Sequence, residues 1–218
     1  MTEHDQMMAD MGMPMDMPWS ATDVVFTFAM WSVMMVGMMT PSAAPVVMLF
    51  AGAQRGVRRM TPVMAFAAGY LLVWTLFSAA AALAQWALHA TAMLSPAMSM
   101  ASARLGGGIL IAAGIYQLTP LKGACLTHCR SPLGFLMSHW RDGTAGALRM
   151  GARHGIYCLG CCWALMGVLF VVGVMNLVWV AALTTFVLVE KIGPAGAFVA
   201  RAGGVVLIAA GLVVIFRT

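Results

Sequence analysis

Five cysteines fall into two clusters, Cys125-Leu-Thr-His128-Cys129 and His154-Gly-Ile-Tyr-Cys158-Leu-Gly-Cys161-Cys162, each beside a hydrophobic segment of membrane-crossing length. Thiolate and imidazole hold copper(I), zinc or iron-sulfur iron, and they are a costly choice where lipid cannot solvate a charge. Cys125 and Cys129 are four residues apart, so they share one face if helical and chelate one ion if looped, with His128 as a third donor. His154, Cys158 and Cys161 follow the helical spacing i, i+4, i+7, Cys162 lies one step around, and Met166 continues the stripe. Cysteine also serves as a small buried hydrophobe. Three within five residues behind a histidine nonetheless read as soft donors aimed one way.

Methionine supplies a second set of sulfurs. The segment Met7–Pro18 carries six methionines in twelve residues, with His4 just upstream. A thioether is a soft, uncharged ligand that needs no deprotonation. In the segment Met30-Trp-Ser-Val-Met34-Met35-Val-Gly-Met38-Met39-Thr-Pro41, Met30, Met34 and Met38 form one helical row, with Met35 and Met39 beside it. Pro41 and Pro45 remove backbone donors and predict a kink. The stripe reads either as a conduit for a soft cation or as packing, for which methionine is well adapted. His89, Met93, Met98 and Met100 repeat the tail's donor types in a later loop.

These donors must be positioned by membrane helices. Of 218 residues, 62% are hydrophobic and 9% charged, against about a quarter charged in ordinary soluble domains. The expected fold class is all-α, a polytopic transmembrane helical bundle of about six spans, near 24–50, 63–86, 104–119, 155–175, 177–190 and 195–216. Residues 1–22 are expected to form a disordered, acidic, Met-rich tail, and 23–218 a single transmembrane domain. Ten of the twelve Lys and Arg residues then share one side, including Arg55, Arg58, Arg59, Lys122, Arg130, Arg141, Arg149, Arg153, Lys191 and Arg201. That asymmetry predicts both termini on the non-cytoplasmic side of a bacterial inner membrane, with the cysteines near the reducing cytoplasmic face. The net charge of +5 is then a topological signal, and nothing points to nucleic acid. Tyr70, Trp74 and Trp86 read as packing or interfacial residues. The segment from Met175 to Glu190 is short for a span, so Glu190 and Lys191 are expected just inside the hydrocarbon edge. There Glu190 can pair with Lys191 or Arg201, relay a proton or support a metal-binding histidine.

The runs Met30-Trp-x-x-Met-Met-x-x-Met-Met-x-Pro41, Pro120-Leu-Lys-x-x-Cys-Leu-x-x-Cys-Arg130, Gly155-x-x-Cys-x-Gly-Cys-Cys-Trp-x-Leu-Met166 and Glu190-Lys191 resemble an uncharacterised family of predicted metal-binding integral membrane proteins, a domain of unknown function. The resemblance covers nearly everything from 24 to 216, leaves the tail outside, and implies a polytopic fold and a metal site.

Soft, sulfur-rich ligation selects copper(I) over magnesium or calcium. Zinc suits four Cys/His donors but leaves the methionines unexplained. The expected function is copper(I) handling: acquisition, transfer or loading of a membrane copper enzyme. Expected ligands are Cys125, His128, Cys129, His154, Cys158, Cys161, Cys162 and Met166, with Met34, Met35, Met38, Met39 and Glu190. Expected partners are membrane lipid, a membrane copper enzyme or copper chaperone, and further copies of the chain. The alternative is a membrane thiol-disulfide oxidoreductase exchanging electrons between Cys125/Cys129 and Cys161/Cys162. Cys158-Leu-Gly-Cys161 has the reactive spacing, without a surrounding thioredoxin-like strand pattern.

Overall fold

The chain begins its described structure with a capping box. Ser20 accepts from the Asp23 backbone N–H, and the Asp23 carboxylate accepts from the Ser20 backbone N–H at 2.8 Å, starting α1 over Ala21–Ala53. The computed structural model describes residues 19–54, 60–91 and 102–217. Within them follow α2 (Met60–Ala90), α3 (Ala103–Leu118), α4 (Pro120–Arg130), α5 (Pro132–His139), α6 (Gly143–Val172), α7 (Leu177–Ile192) and α8 (Gly196–Phe216), with no strand among the described residues. The methionine tail, Arg55, Arg58, Arg59 and Met93, Met98 and Met100 lie outside the described residues.

Four helices, α1, α2, α6 and α8, are individually long and apolar enough to cross a membrane. A fifth candidate is the pair α3 and α4, bent by 63° at Thr119-Pro120. The bend has a local cause. Proline cannot continue the helix of the residues before it, and Thr119 caps the new helix through its hydroxyl. Helix α7 has 16 residues, about 24 Å at 1.5 Å per residue, against a hydrocarbon core of about 30 Å. The expected span near 155–175 is the second half of the 30-residue α6, which starts at Gly143. Cys158, Cys161 and Cys162 therefore sit mid-helix rather than at a span's start.

Small residues set the helix contacts, as expected where hydrophobic association gives little between helices already in lipid. On α2 and α6, a Cβ on Gly69 would meet the backbone of Leu148 and Ala152, and one on Gly151 the backbone of Phe66. On α3 and α8, Gly107 faces Gly211 and Gly114 faces Gly204. Helix α1 runs unbroken through Pro41 and Pro45. In that stretch the backbone has lost two donors, and the Met39 carbonyl accepts the hydroxyls of Ser42 at 2.8 Å and Tyr70 at 3.0 Å. The second bond ties α1 to α2 beside the cysteines.

Two basic residues of the expected one-sided set are not surface charges. Lys122 and Lys191 are 1% and 5% exposed, so they are parts of the interior and not loop signals.

Candidate metal centre

The inner faces of α1, α2, α4, α6 and α7 meet in a core containing Trp31, Met35, Met39, Tyr70, Trp74, Cys129, Cys158, Cys161, Cys162 and Met166. All five cysteines are free. Cys161 Sγ lies 4.0 Å from Cys129 Sγ, which joins the two sequence clusters across α6 and α4. Cys162 Sγ lies 3.9 Å from the Met39 sulfur, which joins α6 to the methionine row of α1. Two sulfurs about 2.3 Å from one ion and 4.0 Å from each other subtend an angle of about 120° at the ion. Both pairs therefore have the spacing of ligands that share a soft cation.

Between the pairs sits an ammonium group. Lys191, from the last turn of α7, places Nζ 2.9 Å from Cys158 Sγ, 3.2 Å from Ser42 Oγ and 4.0 Å from the Met39 sulfur. Tyr70 adds its hydroxyl 3.1 Å from Cys158 Sγ. The thiols of Cys161 and Cys162 donate to the Cys158 carbonyl at 3.1 and 2.9 Å, an i−3 and i−4 pattern that fixes both side chains over the preceding turn. The cysteine stripe thus faces a cation already, one supplied by the chain itself.

Not every expected donor joins this core. His128 turns outward, stacks on Tyr157 at 4.3 Å between ring centroids, and places Nδ1 2.9 Å from the carbonyl of Ala124 one turn back. Residues 128 and 129 are about 100° apart around α4, so burying Cys129 sends its neighbour away. Half-buried Cys125 rests its sulfur over Gly160, where a Cβ would come within 2.8 Å of it. His154 is buried among the rings of Phe66, Tyr70 and Phe135, and its Nδ1 has no hydrogen-bond partner. Met166 is fully buried in the same core. The methionine rows diverge. Met35, Met38 and Met39 are buried in the core, whereas half-buried Met30 and Met34 line an open groove of about 670 Å³ with Val174, Met175 and Val180, and Met38 lies at its floor. Among the described residues no group of three or more His, Cys, Asp or Glu side chains is arranged to hold an ion.

Glu190 has a different partner from those expected. Its carboxylate takes both oxygens to Lys122 Nζ at 2.8 Å and accepts from Gln117 Nε2 at 2.9 Å, and Gln117 Oε1 also accepts from Lys122. Arg130 caps the end of α7 by donating to the carbonyls of Glu190 and Pro194. Among the described residues the Glu190 carboxylate bonds to neither Lys191 nor Arg201, and to no histidine. Three residues at the centre were not expected there: Lys191, read as a flanking basic charge near the hydrocarbon edge and a partner for Glu190, Tyr70, read as packing, and Ser42. The one signal available for Lys191 was the shortness of its helix, which draws the last turn into the interior.

Neither curated proteins nor solved structures include a match to this chain. A family model described as PpoB2, copper chaperone, matches residues 28–214, which takes in the methionine rows, both cysteine clusters and Lys191, and the chain therefore belongs to that copper chaperone family.

Proposed function

We propose that the protein is a membrane carrier of copper(I), holding the ion as cargo on two or three of the sulfurs of Cys129, Cys161, Cys162 and Met39 and passing it to a membrane copper enzyme or a second copper carrier. The observation that carries this reading is the meeting of the two sulfur pairs around Lys191, within a chain of a copper chaperone family. Pairs of thiol and thioether donors suit copper(I), which accepts two or three soft ligands, better than zinc, which asks for a closed set of four. His154, with an unpartnered ring nitrogen one helical turn before Cys158, is the reserve ligand. Cys158 anchors Lys191 and becomes a ligand when the ammonium moves. Lys191 holds the place of a monovalent cation while the carrier is empty, and its flexible four-carbon stem lets it withdraw when copper enters.

Supply follows from the methionines. The tail, with His4 and Met7–Met17, and the loop with Met93, Met98 and Met100 gather the ion. Met30 and Met34 in the open groove pass it by way of buried Met38 to Met35 and Met39. With α7 as a short sixth crossing, accommodated by local thinning of the bilayer, both termini share the non-cytoplasmic side.

The thiol-oxidoreductase alternative has the Cys125/Cys129 and Cys161/Cys162 pairs exchange electrons with each other. The sulfur contact at 4.0 Å between Cys129 and Cys161 serves either reading, so the two are separated by experiment. Anaerobic copper(I) titration of the purified chain against a chromophoric chelator, with thiol counting before and after, separates the two. A carrier binds copper(I) stoichiometrically with its thiols reduced; an oxidoreductase loses thiols in pairs under mild oxidant and shows no tight copper.

A further inference from the structure

Away from the sulfur core, the turn between α5 and α6 builds a basic pocket of about 440 Å³ lined by Ser138, His139, Trp140, Arg141, Arg149, Met150 and Arg153. Its walls are held in place by named contacts. The Trp140 indole donates to Asp142 Oδ1 at 2.9 Å and packs on Phe50 at 5.5 Å between centroids. The Arg141 backbone N–H points to the sulfur of buried Met150 at 3.2 Å. Gly143 takes φ +78°, a left-handed conformation that favours glycine, and a Cβ on Gly146 would strike the Arg141 carbonyl. The turn is thereby pressed onto α6, which brings Arg141 over the i, i+4 pair Arg149 and Arg153. Among the described residues none of these three guanidinium groups has an ion pair or a hydrogen bond. Asp142 is the one carboxylate nearby, so the pocket keeps a net positive charge.

The rim is apolar. On the same two helices Leu133, Met137, Leu148 and Ile156 are exposed, between 41% and 76%, and Trp140 is the kind of side chain that settles at a membrane interface. A solvent-facing anion site has no use for such a border. Acyl chains do.

We propose that this pocket binds the phosphate headgroup of an anionic phospholipid, with Arg149 and Arg153 from α6 and Arg141 from the turn on the phosphate oxygens and the acyl chains lying along Leu133, Met137 and Ile156. Guanidinium forks match phosphate oxygens in pairs, and basic pockets at helix ends are where anionic headgroups settle. This site is independent of copper, since α6 carries the arginines in its first three turns and the cysteines beyond them.

The test is native mass spectrometry of the full chain in neutral detergent, titrated with phosphatidylglycerol or phosphatidylcholine. The wild type should prefer phosphatidylglycerol by on the order of 100-fold, R149Q/R153Q should lose about thirtyfold of that preference, and R141Q alone about fivefold. R104Q/R217Q removes the same charge outside the pocket and should keep the preference. Equal loss in R104Q/R217Q, or an unchanged preference in R149Q/R153Q and R141Q, would overturn the site. Displacement of the lipid by inorganic phosphate at comparable affinity would make it a free-anion site and overturn the lipid.

Discussion

Helix α7 ends on two adjacent residues that bury charge in opposite ways. Glu190 meets Lys122 and Gln117 in a closed set in which a carboxylate answers an ammonium. Lys191 meets a thiol, a hydroxyl and a thioether. The first cluster is balanced by the chain's own charges, so nothing need enter it; it fixes the join of α3, α4 and α7. The second surrounds its cation with soft, neutralisable donors, and that cation sits on a flexible stem. A buried ion pair loses much when one partner is removed, because the other is left uncompensated. A buried ammonium among sulfurs marks a place where one monovalent cation can replace another. The difference gives Glu190 a structural role and supports the proposal that cargo binds in the neighbourhood of Lys191.

The sharpest way to break the comparison is Glu190→Gln. It strands Lys122, and about 3–5 kcal/mol of stability should be lost, read as a lower unfolding midpoint in detergent, while copper(I) affinity of the folded fraction stays unchanged. A large loss of affinity with no loss of stability would move Glu190 back into the metal site. Cys129→Ser and Cys161→Ser should do the reverse, weakening copper(I) binding on the order of 100-fold, about 2.7 kcal/mol, with the fold retained. Lys191→Met removes the competing ammonium and adds a thioether. Copper(I) affinity should rise about tenfold, or about 1.4 kcal/mol, and transfer to an acceptor chelator should slow in proportion. The smallest effect separates the methionine rows. Leucine at Met34 or Met39 conserves volume, costing under about 1.5 kcal/mol of stability at either site. Only Met39→Leu should lower equilibrium affinity, because its sulfur touches Cys162, whereas Met34→Leu should slow loading alone.

Much of this was legible in the sequence. Helical spacing placed Cys158 and Cys161 on one stripe with Cys162 one step around, composition announced long apolar helices, and the donor types pointed to copper, the metal of the chain's family. What periodicity cannot supply is which face of which helix meets which. His128 stood beside Cys129 in sequence and turned away from it in space, because successive helical residues diverge. Lys122 and Lys191 were read as loop charges from the positive-inside pattern, but the bend at Pro120 and the brevity of α7 carry them indoors. Met30 and Met34 continue a row as regular as Met35 and Met39, and only the packing of α1 against α2 and α7 decides which methionines reach the core that holds the cysteines. Contacts between residues more than a hundred positions apart, such as Cys162 with Met39, left no trace in local pattern.

The account stands most directly on the sulfur pairs. X-ray absorption of the full chain loaded anaerobically with one equivalent of copper(I) reads the ligands themselves. The expected spectrum shows two or three sulfur neighbours at about 2.3 Å, with amplitude falling by one sulfur in Cys161→Ser. A first shell dominated by nitrogen or oxygen, or a sulfur shell unchanged in both Cys129→Ser and Cys161→Ser, would contradict the assignment.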